Sequence, residues 1–422
     1  FKVLGVNELA ARLPSVLAAA ATAALTFRLA RRAAGLDAAL AACLILSSTV
    51  LFFITAGAVL TDTVMVLGTT LSMAAFWLAV GEGGGRLWSR LFFVGLAVGL
   101  LAKGPVAAVL TLAPVSLWVL FKGKWGLVRR RIGWVEGAAL MVLIAAPWYV
   151  AAQWKTPGFI EYFIVGEHWK RFTEAGWSGD LYGNPHVRTR GTIIAYWLGA
   201  VLPWTPVLAV LLVKRLRRGA GSMAEALGGE RTLYLLLWAA APVLFFLPAR
   251  NILPTYVQPG LPAFAVLLAE SWLARDEERP RASATLAALG LVVPLLFVTV
   301  LFSYYLPYKA PYKSQKTLVE HYEEVSAGSG ARLDYLFDRP FSAQFYTRGR
   351  ARRYDDADLV RGLSAAAVGD YFAVRSDRYR HLPERLRAGL EEEGVYGSYT
   401  LLRKTAGPGH RRPSAKARPG DM

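Results

Sequence analysis

Uncharged stretches as long as a bilayer is thick constrain this chain more than any other feature. A helix needs about 20 residues to cross the hydrocarbon core. The block Asp37–Ile54 carries no charge after its first residue, and similar blocks recur along the first three hundred positions. Ten spans are expected. They are Pro14–Ala30, Asp37–Ile54, Thr61–Val80, Leu91–Ala102, Val106–Phe121, Ile132–Val150, Thr192–Val213, Leu233–Leu247, one between Tyr256 and Arg275, and Ala284–Phe302. Pro14 is expected to open the first helix, where its missing N–H is not needed. Thr61-Asp62-Thr63 reads as an N-cap for the third.

The class is therefore a mostly α, polytopic helical membrane protein. Residues are 55% hydrophobic and 18% charged. The net charge of +18 is no nucleic-acid signature, because no basic stripe interleaves with aromatics on a soluble face. Cys43 is the sole cysteine, which excludes an intrachain disulfide and a multi-cysteine zinc site. Lys and Arg concentrate in alternate loops, at Arg28/Arg31/Arg32, Arg86/Arg90, Lys122–Arg131, Lys214–Arg218 and Arg275–Arg281. By the positive-inside rule those loops are cytoplasmic. Asp62, Lys103, Glu167, His168, Arg171, Arg250 and Tyr256 then share the outer side, as do both ends of the chain.

From Ser303 charges return and apolar runs shorten. Leu333–Phe337, Tyr371–Val374 and Ser398–Leu402 read as strands, and Asp355–Leu363 and Pro383–Glu393 as helices. The expected division is a transmembrane domain over 1–302 with an outer loop at 151–190, a small extracytoplasmic α/β domain over 303–405, and a disordered Pro/Gly/Arg-rich tail over 406–422.

The outer loop concentrates the chemistry. Glu161-Tyr162-Phe163-Ile164-Val165-Gly166-Glu167-His168-Trp169-Lys170-Arg171-Phe172 brings an acid, an imidazole and two cations together among Trp154, Tyr162, Trp169 and Trp177. Each candidate has a plainer alternative. Asp62 can be an N-cap or a base or sugar ligand. Lys103 can snorkel to headgroups or hold a lipid phosphate, with Gly104 permitting close backbone approach. Glu167 and His168 can be structural, can help position a phosphate, or can ligate a divalent metal, although two ligands fall short of the three or four that a site needs. Arg171, three residues on, shares a helical face with His168 and suits bidentate phosphate contact, or faces headgroups. Tyr256, with Arg250, can line a substrate cavity or belong to the interfacial belt. The Gly81–Gly85 run is a turn and not a phosphate loop, since no Gly-Lys-Ser/Thr follows.

Taken in order, Arg12-Leu13-Pro14-Ser15, Thr61-Asp62, Ala102-Lys103-Gly104-Pro105, Pro147-Trp148-Tyr149, Glu167-His168-Trp169-Lys170-Arg171-Phe172, Leu202-Pro203-Trp204 and Leu253-Pro254-Thr255-Tyr256 resemble bacterial polyprenyl-phosphate-sugar glycosyltransferases. These are the protein-mannosyltransferase-like and lipid A aminoarabinose transferase-like enzymes of GT-C type. The resemblance covers residues 1–275. It implies transfer of a sugar from a polyprenyl phosphate to a lipid, glycan or protein on the outer face of the bacterial plasma membrane. It implies Asp62, Glu167 and His168 as catalytic candidates, Lys103 and Arg171 at the donor phosphate, Arg250 and Tyr256 in the cavity, and a divalent metal at His168 and Glu167. The family's first-loop acid would precede Phe1, so the chain as given is expected to be inactive. The segment Gly179–His186 departs from the aromatic run of relatives, which leaves the acceptor open. The competing readings are a polyprenol or glycolipid transporter, and a non-catalytic glycolipid-binding relative. Transporters place charges near mid-bilayer and carry inverted repeats, whereas here the ionisable groups stand at span ends.

Overall fold

The computed structural model describes residues 1–179, 186–217, 228–273 and 279–406. The Asp180–Pro185 part of the divergent outer segment, the charged stretch at 275–278 and the tail from 407 lie outside these described residues. The chain divides into two units, Glu8–Leu296 and a second made of Phe1–Asn7 with the chain from Phe297 onward.

The first unit is helical and begins with α1 (Glu8–Ser48), α2 (Val50–Ala56), α3 (Thr61–Val80), α4 (Arg86–Lys103), α5 (Pro105–Lys122), α6 (Trp125–Arg131) and α7 (Trp134–Lys155). Helices stand in all ten expected places. Among the described residues, five are long and apolar enough to cross a bilayer, or six if the pair Thr192–Ala200 and Thr205–Arg217, bent by 105°, is one span. The difference from ten has physical causes. Two expected spans lie in α1 as separate helices that meet at the non-helical Gly35, φ 83°, and α1 counts once. Helix α4 carries Arg86, Arg90 and Lys103, and the helices Glu230–Phe246 and Leu261–Leu273 have 17 and 13 residues. The chain is a multi-pass membrane protein.

Two expected helix starts are corrected. Helix α1 begins at Glu8, and Pro14 lies inside it. Asp62 is no N-cap: the cap position is Leu60 and has no side-chain cap hydrogen bond. Asp62 lies in the first turn, where a carboxylate suits the positive end of the helix dipole.

Helix α3 is central. Its apolar window is 83% buried, against 11% for α7. Helix α4 packs against it backbone to backbone, because glycines leave no side chain between them. A Cβ on Gly68 would meet the Gly99 nitrogen at 2.6 Å, and one on Gly95 would meet the Gly68 carbonyl oxygen at 2.6 Å. Gly95 and Gly99 are four apart on one helical face, the small-xxx-small arrangement that lets membrane helices approach closely. Ser72 Oγ donates to the Phe92 carbonyl at 2.8 Å across the same contact. Further along α3, Phe76 stacks on Tyr234 at 5.9 Å and meets the edge of Trp118 at 6.0 Å. The Tyr234 hydroxyl donates to the Met73 carbonyl at 2.7 Å.

The second unit holds a five-stranded sheet of order β2-β1-β3-β5-β4, with β1 Leu333–Leu336, β2 Arg353–Tyr354, β3 Tyr371–Arg375, β4 Leu390–Tyr396 and β5 Tyr399–Lys404. The neighbours of β1 run parallel to it, and β5 is antiparallel to β3 and β4. The three expected strands are β1, β3 and β5. The expected helix Pro383–Glu393 is only Glu384–Arg387, since from Leu390 the chain becomes edge strand β4. There Arg403 of β5 donates to Glu391 at 2.8 Å and pairs with Glu393 at 2.8 Å. Charges that look like helix faces in sequence are cross-strand ion pairs, which is how tertiary pairing overrides a local pattern. The helix expected over Asp355–Leu363 begins only at Leu359.

Gly68→Val tests the α3–α4 contact. Overpacking costs about 1–3 kcal/mol, so the variant is expected to melt several degrees below wild type in detergent. Gly199→Ala, where a Cβ meets nothing within 4 Å, is expected to leave the melting curve in place.

Candidate functional site

The antiparallel α3–α4 contact places the start of one helix beside the end of the other. Lys103 closes α4, where a cation suits the negative end of the helix dipole. Its ammonium donates a hydrogen bond to Asp62 Oδ1 and lies 5.3 Å above the centroid of the Tyr256 ring. The Asp62 side chain is 7% exposed and that of Lys103 26%, so the carboxylate is enclosed and the cation reaches outward from it.

Gly104 separates α4 from α5 at φ 74°, a left-handed conformation that costs other residues roughly 1–2 kcal/mol. Pro105 then starts α5. The sequence suggested that Gly104 admits a ligand. The structure fills that space with protein: a Cβ there would lie 2.7 Å from the Phe163 ring and 2.8 Å from the His168 imidazole.

Those two rings come from a π-helix, Glu161–Lys170. Its hydrogen bonds run five residues apart, a rare geometry that is frequent at functional sites. Side chains five apart therefore meet. The Tyr162 hydroxyl donates to Glu167 Oε1 at 2.5 Å, and the Phe163 and His168 rings lie 4.8 Å apart, edge to face. Arg171 donates to Glu167 Oε2 at 2.6 Å. The α-helical spacing expected for His168 and Arg171 is thus replaced, and Arg171 pairs with Glu167.

His168 bridges two elements. Nδ1 lies 2.6 Å from the Phe163 carbonyl oxygen and Nε2 lies 2.9 Å from that of Lys103. Both ring nitrogens thus face acceptors, and both Glu167 oxygens take donors. Among the described residues no group of three or more His, Cys, Asp or Glu side chains could hold a metal ion. These residues do not fit the divalent-metal site that the resemblance implied: neither imidazole nitrogen turns a lone pair to open space.

Lys103, Glu167, His168, Arg171 and Tyr256 line one cavity of about 760 Å³, whose other walls include Met65, Val109, Phe163, Phe172, Phe245 and Phe246. Asp62 stands behind Lys103 and is not on the wall. Arg250 is exposed and also off the wall. Its carbonyl accepts the Arg188 N–H at 2.7 Å, which ties the 186–188 segment to 250–252.

Asn251 on the cavity wall was not singled out from the sequence. It is 4% exposed. Its amide donates to the carbonyls of Arg171 at 2.8 Å and Glu174 at 2.6 Å, and its oxygen accepts the Gly176 N–H at 3.3 Å. It clamps the segment that carries Arg171. Trp177 lies over Gly166, where a Cβ would meet its ring at 2.9 Å. No local pattern marks Asn251, because its partners lie 75 to 80 residues away.

Fold and site together define a multi-pass helical membrane protein with a cavity beside the α3–α4 contact. Residues 1–163 match the family model of dolichyl-phosphate-mannose-protein mannosyltransferase. The whole fold is similar to two crystal structures of ArnT from Cupriavidus metallidurans. The one bound to undecaprenyl phosphate has a TM-score of 0.74 at 16% identity and covers 95% of this chain and 85% of that one. The apo one has a TM-score of 0.71 at 17% identity, covering 95% and 84%. Among curated proteins, the undecaprenyl phosphate-alpha-4-amino-4-deoxy-L-arabinose arabinosyl transferase of Erwinia tasmaniensis is 29% identical over 311 residues, 71% of this chain and 53% of that protein. The protein of the same name from Edwardsiella ictaluri is 30% identical over 277 residues, 63% and 46%. The chain spans about half the length of these curated relatives. It is similar to the lipid A aminoarabinose transferases, the likeness first read from its motifs.

Asn251→Asp keeps the size and removes both donors. Each bond contributes about 1 kcal/mol, so amide exchange over 171–177 is expected to speed roughly tenfold or more, with exchange in α3 unchanged. Gly104→Ala is expected to lower the melting temperature through both backbone strain and collision with the Phe163 and His168 rings.

Proposed function

We propose that this protein is an integral-membrane glycosyltransferase that takes a sugar from a polyprenyl-phosphate donor and transfers it to a lipid, glycan or protein acceptor on the outer face of the plasma membrane. The supporting observation is the cavity wall, apolar for the most part, with Lys103 and Arg171 on it and each held by its own carboxylate. Aromatic and aliphatic walls suit the prenyl chain and sugar ring, and two fixed cations suit the phosphate. The names of the relatives support a pentosyl donor carried on undecaprenyl phosphate, and the motif resemblance adds lipid A as acceptor. The helical unit Glu8–Leu296 would carry the reaction.

Breaking the glycosidic bond converts a phosphate diester into a monoester, so negative charge grows on the leaving oxygen. Cations already in place stabilise that growth without reorganising, which is the source of most electrostatic catalysis. Asp62 and the Tyr256 ring aim the Lys103 ammonium, and Tyr162 and Glu167 fix the Arg171 guanidinium. Glu167 is the carboxylate on the wall. An ionised carboxylate has about four lone-pair sites, so with Tyr162 and Arg171 bound it can still accept an acceptor hydroxyl and draw off its proton. His168 joins the end of α4 to the π-helix and so sets the distance between the two cations. Arg250, exposed, would meet the acceptor or the headgroups at the rim.

The transporter reading is less well supported. Asp62 is the second residue of α3 and Lys103 the last of α4, so the charged groups stand at helix ends and not at mid-span.

The test is transfer from undecaprenyl-phosphate sugar to extracted acceptor lipid in membranes carrying the protein at its natural length. Removing one transition-state donor costs roughly 10²–10³-fold in turnover, so Lys103→Met and Arg171→Met are each expected to fall by that much. Arg171→Lys should recover part of the loss. Wild-type turnover in both Met variants would retire the phosphate assignment.

A further inference from the structure

A second cavity, about 830 Å³, lies between α1 and α3. It follows one stripe of α1. Ala21, Ala24, Leu25 and Arg28 recur at three- and four-residue intervals, with Arg31 and Arg32 beyond them, and Leu67 and Leu71 face them from α3. At 1.5 Å per residue the stripe from Ala21 to Arg32 is about 17 Å long. That is close to half the ~30 Å hydrocarbon thickness, the depth of one leaflet.

The charged end lies away from the candidate active site. Helix α3 begins at that site with Thr61 and Met65. Just past its other end, Glu82 pairs with Arg32 at 3.6 Å. The arginines are fixed in different ways. The Arg28 guanidinium lies 4.8 Å over the Trp88 ring, and that of Arg31 lies 5.8 Å over Phe27. A ring face holds a guanidinium in place without neutralising it. Among the described residues these three cations thus meet one carboxylate, whereas Lys103 and Arg171 in the first cavity each have a carboxylate of their own. Arg131 adds to this rim, donating to the Gly83 carbonyl at 3.3 Å.

We propose that this groove binds one anionic phospholipid, its acyl chain along Leu25, Leu67 and Leu71 and its phosphate on Arg28, Arg31 and Arg32. The chemistry selects the occupant. An apolar trough one leaflet deep takes a fatty chain, and an excess of guanidinium takes a net negative headgroup in preference to a zwitterionic one. Clusters of basic side chains at the end of membrane helices recognise anionic headgroups through both charge and bidentate hydrogen bonds. The site is separate from the sugar-transfer chemistry and stands whether or not that assignment does.

The experiment is native mass spectrometry of the purified full chain in detergent, titrated with phosphatidylglycerol and, separately, with phosphatidylcholine of the same acyl chains. Wild type is expected to retain one phosphatidylglycerol with clear preference. Arg31→Gln, whose side chain is exposed, should fold normally and weaken that binding about fivefold, and the triple variant Arg28→Gln/Arg31→Gln/Arg32→Gln about a hundredfold. Leu25→Trp keeps every arginine but fills the trough and is also expected to lose the lipid. Equal retention of the two lipids, or unchanged binding in the triple variant, overturns the proposal. So does wild-type affinity in Leu25→Trp, which would place the headgroup on the arginines with no chain in the groove.

Discussion

The close approach of α3 and α4 is the constraint on which the rest of the helical unit depends. Three glycines remove the side chains that would hold the two backbones apart, and the antiparallel arrangement then sets the first turn of one helix against the last turn of the other. Asp62 and Lys103 meet there, each at the helix end whose dipole favours its charge. Burying a lone carboxylate as deeply as Asp62 would be costly, and pairing it is what makes the burial tolerable. The ion pair is therefore a product of the glycine contact as much as of its own attraction.

The cavity beside this contact repeats that logic on its other wall. Glu167 holds Arg171 as Asp62 holds Lys103. Fully paired, the four charges cancel, yet their dipoles point the cationic ends into an apolar space of low dielectric, where electrostatic interactions are stronger than in water. His168 connects the two pairs through carbonyls of both elements, and Asn251 secures the outgoing segment. A group on one pair is thus positioned by the backbone of the other.

Much of this was legible in the sequence because it depends on composition over long windows. The apolar blocks marked the helices, and the order of short motifs marked the residues that gather at the cavity. What was illegible depends on contacts between distant segments or on a non-standard helical repeat. The apolar blocks on either side of Gly35 mark two helices, but nothing local announces that they meet at that single non-helical residue. The metal reading of Glu167 and His168 followed from residue types, and only the positions of the Phe163 and Lys103 carbonyls show both ring nitrogens already engaged. Asn251 has no local signature at all. In the second unit the run of acids Glu391–Glu393 looks helical until β5 supplies Arg403.

The wide helical turn between Glu161 and Lys170 has a consequence for how this segment can change over evolutionary time. Substitutions there keep the phase of the coil, but losing a single residue would let it relax to the ordinary repeat and swing everything beyond it by roughly 100° about its axis. Arg171 would then turn from the cavity, and Phe172 with it. The segment should accordingly accept exchanges of residue type far more readily than any change in its length.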